Sequence, residues 1–223
     1  MKKFELTNEF ITNMFGTKLF RIRALVEFGD VEAGELGGYV EKESNLGHDD
    51  NAWVYDNAWV YGNARVYGDA QVSGDARVYG NALVYGDAQV SGDALVCGNA
   101  LVYDNAWVYG NARVCGDALV CGNARVCSDA LVCGNARVCS DEDYAYAHGF
   151  GSVNRTTTFF RLKDGGVGVR CGCFYGTLAQ FRDKIRETHG ETKKAQEYLM
   201  LADLMELRFE EDENEVGNRK YVE

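Results

Sequence analysis

Between residues 51 and 140 the apolar and polar positions repeat every six residues, with alanine and valine held two apart and polar corners between them. Each hexad has the form [N/D]-A-x-V-y-[G/D/S]. Valine recurs from Val54 to Val138 and alanine from Ala52 to Ala136. Residues two apart in an extended chain point to one side, so Ala and Val share a face while x and y share the other. The Gly-Asn or Gly-Asp step is turn chemistry, because glycine accepts a positive φ and Asn or Asp bonds nearby backbone. A period of six with glycine in almost every unit argues against a helix. Each unit is therefore a very short strand and a corner. One such unit cannot bury its Ala/Val face alone; stacked units can, which predicts a solenoid with one continuous apolar core.

The flanks follow other patterns. In residues 1–50, KKFELT and KLFRIRALVEF read as strands around a turn at 13–16, and the Gly-rich, acidic FGDVEAGELGGYVEKESNL leads into the first hexad. An uncapped solenoid end would offer a free strand edge, so residues 1–50 are expected to form an N-terminal β cap. Their unique sequence would also select one register among near-identical hexads. After Ser140 the phrase decays, with Tyr144 in a valine slot, and the repeat domain is taken as 51–146.

Residues 147–209 read as a ββαα module. Gly149-Phe150-Gly151 is a turn, and TTTFFRL and VGVRCGCFY flank KDGG as a hairpin. Thr177 and Gln180 have capping-box spacing before a helix that packs Leu178, Phe181 and Ile185 and stops at His189-Gly190. Thr192 caps a second helix to about Arg208, with Tyr198, Leu199, Ala202 and Met205 on one side. Residues 210–223 form an acidic tail.

The phrase V-x-G-[N/D]-A-x resembles the hexapeptide repeat of left-handed parallel β-helices, in which three hexads close a triangular coil. The resemblance implies a mainly β, left-handed helix of about five coils from fifteen hexads, about 24 Å long at a strand spacing of ~4.8 Å. The lead-in RIRAL-x-x-FGDV-x-AG-x-x-GG and the C-terminal TTTFFR, CGCF-x-GT and THG resemble a group of bacterial and phage hexapeptide-repeat proteins that commonly carry a transferase label.

Coils of eighteen residues sort the outward positions into three columns. One carries Trp53/Tyr55, Gln71/Ser73, Gln89/Ser91, Trp107/Tyr109 and Arg125/Cys127. A second carries Trp59/Tyr61, Arg77/Tyr79, Leu95/Cys97, Arg113/Cys115 and Leu131/Cys133. The third carries Arg65/Tyr67, Leu83/Tyr85, Leu101/Tyr103, Leu119/Cys121 and Arg137/Cys139. With Leu and Tyr in consecutive coils, the third column is too apolar for a face left to water. Tyr67, Leu83, Tyr85, Leu101, Tyr103 and Leu119 are thus the candidate interaction face. Trp53/Tyr55 and Trp107/Tyr109 are secondary sites, with carbohydrate binding as a weaker reading. The competing view of the third column is that its Tyr and Leu ladders simply stack along the sheet.

Charge and cysteines narrow the classes. The net charge of −11 is spread over all three parts and leaves no basic patch, so nucleic-acid binding lacks its electrostatic footprint. No stretch reads as a signal peptide or a membrane span, and a cytoplasmic location is expected. Six of the eight cysteines sit in the y slot, where they follow the coil rather than a metal site and replace Tyr or Ser as small apolar residues. Neighbours in a column, among Cys97, Cys115 and Cys133 or between Cys121 and Cys139, come within reach of oxidation. Cys171-Gly172-Cys173 is more simply packing than a metal site. No metal or cofactor is expected.

Many left-handed β-helices are acyl-CoA-dependent trimers with a histidine base between subunits. Here His48, His148 and His189 all lie outside the repeat and no loop leaves it, so a base lacks its positioned partner and pocket. The expected function is a non-enzymatic interaction protein that associates with itself as a dimer or trimer. The resemblance to phage and bacterial proteins implies that it is phage or prophage encoded and binds a host protein such as a defence factor. Acyl transfer and pure self-assembly are the alternatives.

Overall fold

The computed structural model describes residues 2–150 and 155–210. Two compact units divide the chain, Met1–Tyr144 and Ala145–Glu223.

In the first unit the hexads fold as fifteen two-residue strands, β4 to β18, from Trp53–Val54 to Arg137–Val138. They sort into three stacks of parallel strands offset by eighteen residues. Leu83 pairs with Leu101 and Leu101 with Leu119, Arg77 with Leu95, and Gln71 with Gln89. The ladder runs through the corners as well: Trp59 N–H donates to Ala76 O at 2.9 Å, Tyr61 N–H to Val78 O at 3.0 Å and Asn63 N–H to Gly80 O at 2.7 Å. Every alanine and valine of the phrase is fully buried, which makes the narrow interior one continuous core. At the corner Gly80 has φ +75°, and an added Cβ would lie 3.0 Å from the backbone of Gly98 in the next coil. Beside the corners Asn63, Asn81, Asn99 and Asp117 form a ladder, each Nδ2 donating to the next Oδ1 at 3.2, 3.0 and 2.8 Å.

The coil starts before Asn51. Strands β1 (Phe4–Thr12) and β2 (Lys18–Ala24) form an antiparallel hairpin, and β3 (Leu36–Val40) joins it to the solenoid. Tyr39 pairs in parallel with Trp59 and Val40 with Val60, while Leu46 bridges to Val66. Residues 36–47 thus supply a partial extra turn above the five coils of the hexads, about six in all. The extra turn carries no phrase and pairs at an offset of twenty, so periodicity alone did not reveal it. Its edge is closed by side chains. Asn45 Nδ2 donates to Ala64 O at 2.8 Å and Gly62 O at 3.2 Å, and the buried Lys3 Nζ donates to Ala52 O at 2.8 Å. At the other end Asp141 Oδ1 accepts from Arg125 N–H at 2.7 Å and the Tyr144 hydroxyl donates to Arg125 O at 2.5 Å.

The second unit holds four strands, β19 (Tyr144–Phe150), β20 (Arg155–Arg161), β21 (Val167–Cys171) and β22 (Phe174–Thr177), in that order across one sheet. This corrects the two-strand module expected from the sequence. Gly172, at φ +58°, lets Gly172-Cys173 turn the chain so that Cys171 pairs with Phe174, splitting VGVRCGCFY into two strands. Gly149 and Phe150 likewise belong to a strand rather than a turn; Gly151 lies outside the described residues. Helix α1 (Leu178–His189) opens on the Thr177–Gln180 capping box, and α2 (Lys193–Phe209) on Thr192, whose hydroxyl accepts from Ala195 N–H. Phe159 and Val169 of the sheet pack with Phe181, Ile185, Tyr198, Ala202, Met205 and Phe209. The acidic tail expected at 210–223 lies, beyond Glu210, outside the described residues. Among the described residues no helix is long and apolar enough to cross a membrane.

Candidate functional site: an aromatic and aliphatic face of the solenoid

The stack built on Arg65, Leu83, Leu101, Leu119 and Arg137 presents the most regular outward surface. Tyr67, Tyr85 and Tyr103 lie one above another, with ring centroids 5.0 Å apart at both steps and planes within 3° and 5° of parallel. The eighteen-residue coil sets that spacing, because the rings inherit the strand separation of the sheet beneath them. Beside the rings run Leu83, Leu101 and Leu119, all half-buried. Exposed Arg65 and Arg137 bracket the strip, with the Arg65 guanidinium 5.5 Å from the Tyr67 ring centre. Burial, then the neighbouring Tyr103 and Tyr67, raises the Tyr85 pKa above the usual phenol value, so this central ring stays neutral at physiological pH. Below the tyrosines, Cys121 and Cys139 are joined in a disulfide across one coil. The six expected face residues are therefore brought together on one flat, uncharged strip. The same geometry includes the stacking along the sheet weighed against an interface.

The secondary face is divided. Trp53 is fully buried, with Phe28 at 5.3 Å and Phe4 at 6.2 Å between ring centres, both edge-on. This corrects its assignment as a surface site: the N-terminal hairpin and the loop after it lie over it. Tyr55 is half-buried. Trp107 remains exposed, tilted over Tyr109 at 4.8 Å, with its indole N–H donating to Ser91 Oγ at 3.3 Å.

The second column carries Tyr61 and Tyr79, parallel at 5.0 Å, followed by Cys97, Cys115 and Cys133. Burial, then a hydrogen bond with Cys97, pushes Tyr79 up to about 12. The bond to Cys115, then burial, raises Cys97 well above the usual thiol value. Such a thiol is a poor nucleophile at neutral pH, because the thiolate is the reactive form.

The histidines stand apart from all three stacks. His48 stacks on Phe4 at 4.4 Å, its Nδ1 accepts from Lys3 N–H at 3.3 Å, and burial lowers its pKa. His148 Nδ1 lies 2.9 Å from Thr156 Oγ1 in the second unit, and His189 stacks on Tyr198 at the end of α1. Cys171 Sγ accepts from Thr157 Oγ1 at 3.2 Å, while Cys173 is exposed in the turn. Among the described residues no group of three or more His, Cys, Asp or Glu could hold a metal ion. Sequence reading missed a cavity in the second unit whose lining includes Arg155, Lys184 and His189. Cys171-Gly172-Cys173 was its only legible mark, because Arg155 on β20 and Lys184 on α1 lie far apart in the sequence.

Compared with known families, the chain is similar to the YdcK beta solenoid repeat, whose model matches residues 58–74, 70–86, 76–92, 94–110 and 106–122. These matches overlap and stay within the hexads. No curated protein matches the chain.

Proposed function

We propose that the chain is a non-enzymatic solenoid interaction protein that binds a partner protein through the Tyr67–Tyr85–Tyr103 and Leu83–Leu101–Leu119 strip. The observation that carries this reading is the continuity of the strip: three stacked rings and three leucines on one sheet, with an arginine at each end. Tyrosine supplies large contact area with few rotatable bonds, and stacking holds each ring in place before binding, which lowers the ordering loss on association. The chain reads as a left-handed hexapeptide-repeat protein of phage or prophage origin, acting in the host cytoplasm, and the partner as a host protein. A second copy meeting the same strip would give the dimer or trimer.

Acyl transfer has less support. The repeat carries no histidine, His48 is engaged with Lys3 and Phe4, and the Cys97 thiol is held protonated.

The test uses the purified protein as bait in a host lysate. Leu101→Arg and Tyr103→Arg place a charge in the strip and should lower recovery of the partner about tenfold or more. Arg113→Glu, on a different stack, should leave recovery unchanged. Equal recovery by all three variants and the natural chain would overturn the assignment.

A further inference from the structure

The second unit holds a cavity of about 340 Å³ that the solenoid reading does not use. Its walls come from the turn after β21, the start of β22 and facing sides of α1 and α2. Phe174, Phe181, Ile185 and the ring of Tyr198 make an apolar floor. Phe181 meets Tyr198 edge-on at 5.8 Å and Phe174 at 5.4 Å between ring centres, so the floor is a packed aromatic corner. The Tyr198 hydroxyl is already engaged, 3.3 Å from Phe150 O.

The lining has one sign of charge. Arg155 and Lys184 contribute to it and no carboxylate does, in a chain whose net charge is −11. Lys184 is shared with Glu187, 2.8 Å away on α1. Arg155 is different. Its guanidinium lies where a side chain on Gly172 would stand, since a Cβ there would fall 1.8 Å from Nη1. The bare turn thus leaves room for a planar fork of donors beside an aromatic floor. A guanidinium matches a carboxylate with two parallel hydrogen bonds, whereas an ammonium acts as a point charge. The cavity volume lies at the lower end of the range for small-molecule sites.

We propose that this cavity binds a small organic monoanion with a ring-sized apolar body, an aryl or arylalkyl carboxylate. The ring rests on Phe174, Phe181 and Ile185. The carboxylate pairs with Arg155 at the mouth, while Lys184 stays with Glu187. With Lys184 shared with Glu187, the one guanidinium of the lining favours one negative charge over a phosphate dianion, and the apolar floor favours a ligand with a body over a bare ion.

The full chain would be titrated calorimetrically with 4-phenylbutyrate, its neutral amide and inorganic phosphate. The acid is expected to bind at one saturable site about tenfold more tightly than the amide, with phosphate weaker than both. Arg155→Gln should erase the preference for the acid while keeping amide binding, which also reports that the cavity is intact. Arg186→Gln, whose partner is Asp183 on the same helix, should change neither. Equal affinity for acid and amide would overturn the proposal, as would a preference that survives Arg155→Gln. So would phosphate binding as tightly as the acid, or no binding of either organic probe at millimolar concentration.

Discussion

Corner residues carry a positive φ at nearly every turn of the solenoid, and three of the positive-φ corners in the repeat are not glycine. Asp56, Asp104 and Ser128 stand there at φ 52°, 57° and 58°. The two aspartates have compensation, since Asp56 Oδ2 accepts from Gly74 N–H at 3.0 Å and Asp104 Oδ2 from Gly122 N–H at 3.2 Å. Ser128 holds the same left-handed backbone, with its hydroxyl 3.9 Å from Cys127 Sγ. Ser128→Gly should therefore stabilise the protein by about 0.5–1 kcal/mol, the relief of left-handed strain exceeding the added chain entropy of glycine. A denaturant midpoint that falls would contradict this.

Lys3 gives a second test at the same scale. Burial, against the pull of Asp50, Asp49 and Asp69, lowers its pKa to about 8 from 10.5. Below about 8 both folded and unfolded chains hold the proton and the fold bears the full desolvation penalty. As pH rises from about 8 towards 10.5 the folded chain releases the proton first, so the penalty fades and stability rises. Tyr61, Tyr79 and Tyr85, whose pKa values are raised, work the opposite way once the pH passes 10.0, the usual phenol value, which sets the upper edge of the window. Urea unfolding at pH about 8 and about 9.5 should show the rise, and Lys3→Met should flatten it.

Among the elements, the hexads were fully legible, because one rule governs every strand: Ala and Val inward, x and y outward, glycine or a substitute at the corner. The eighteen-residue columns follow from that rule and reappear as the pairs Leu83–Leu101 and Leu101–Leu119. Both helices were legible through their caps at Thr177 and Thr192 and the stop at Gly190. What the sequence hid are contacts without a period. Strand β3 joins the coil through Gly37 and Gly38, where a Cβ would lie 2.5 Å from Val54 O and 2.6 Å from Ala58 O. Trp53 looked like its outward-facing counterpart Trp107, yet hydrophobic residues from the first fifty positions bury it. The same reasoning locates the register lock: Gly38→Ala should cost at least about 2 kcal/mol, since backbone must move to admit the methyl. An unchanged unfolding midpoint would show that the extra turn does not set the register.

Across the whole molecule, a rod of near-identical hexads has little scope for a unique catalytic constellation and much for a repeated surface. Catalysis needs different groups converging on one point. The stacks instead offer the same group again at each coil, as the Tyr67–Tyr85–Tyr103 ladder does at 5.0 Å. The conformational constraint that keeps those rings aligned comes from the sheet beneath and is present before any partner arrives. This is why an interface, rather than an active site, is proposed for the repeat.

Hydroxyl-radical footprinting of the protein alone and in complex with its captured partner tests that claim most directly. Protection is expected at Tyr67, Tyr85, Tyr103 and the leucines beside them, with Tyr79 and Trp107 on the other stacks unchanged. Protection at Tyr79 or Trp107 with the Tyr67–Tyr85–Tyr103 strip still reactive would contradict it.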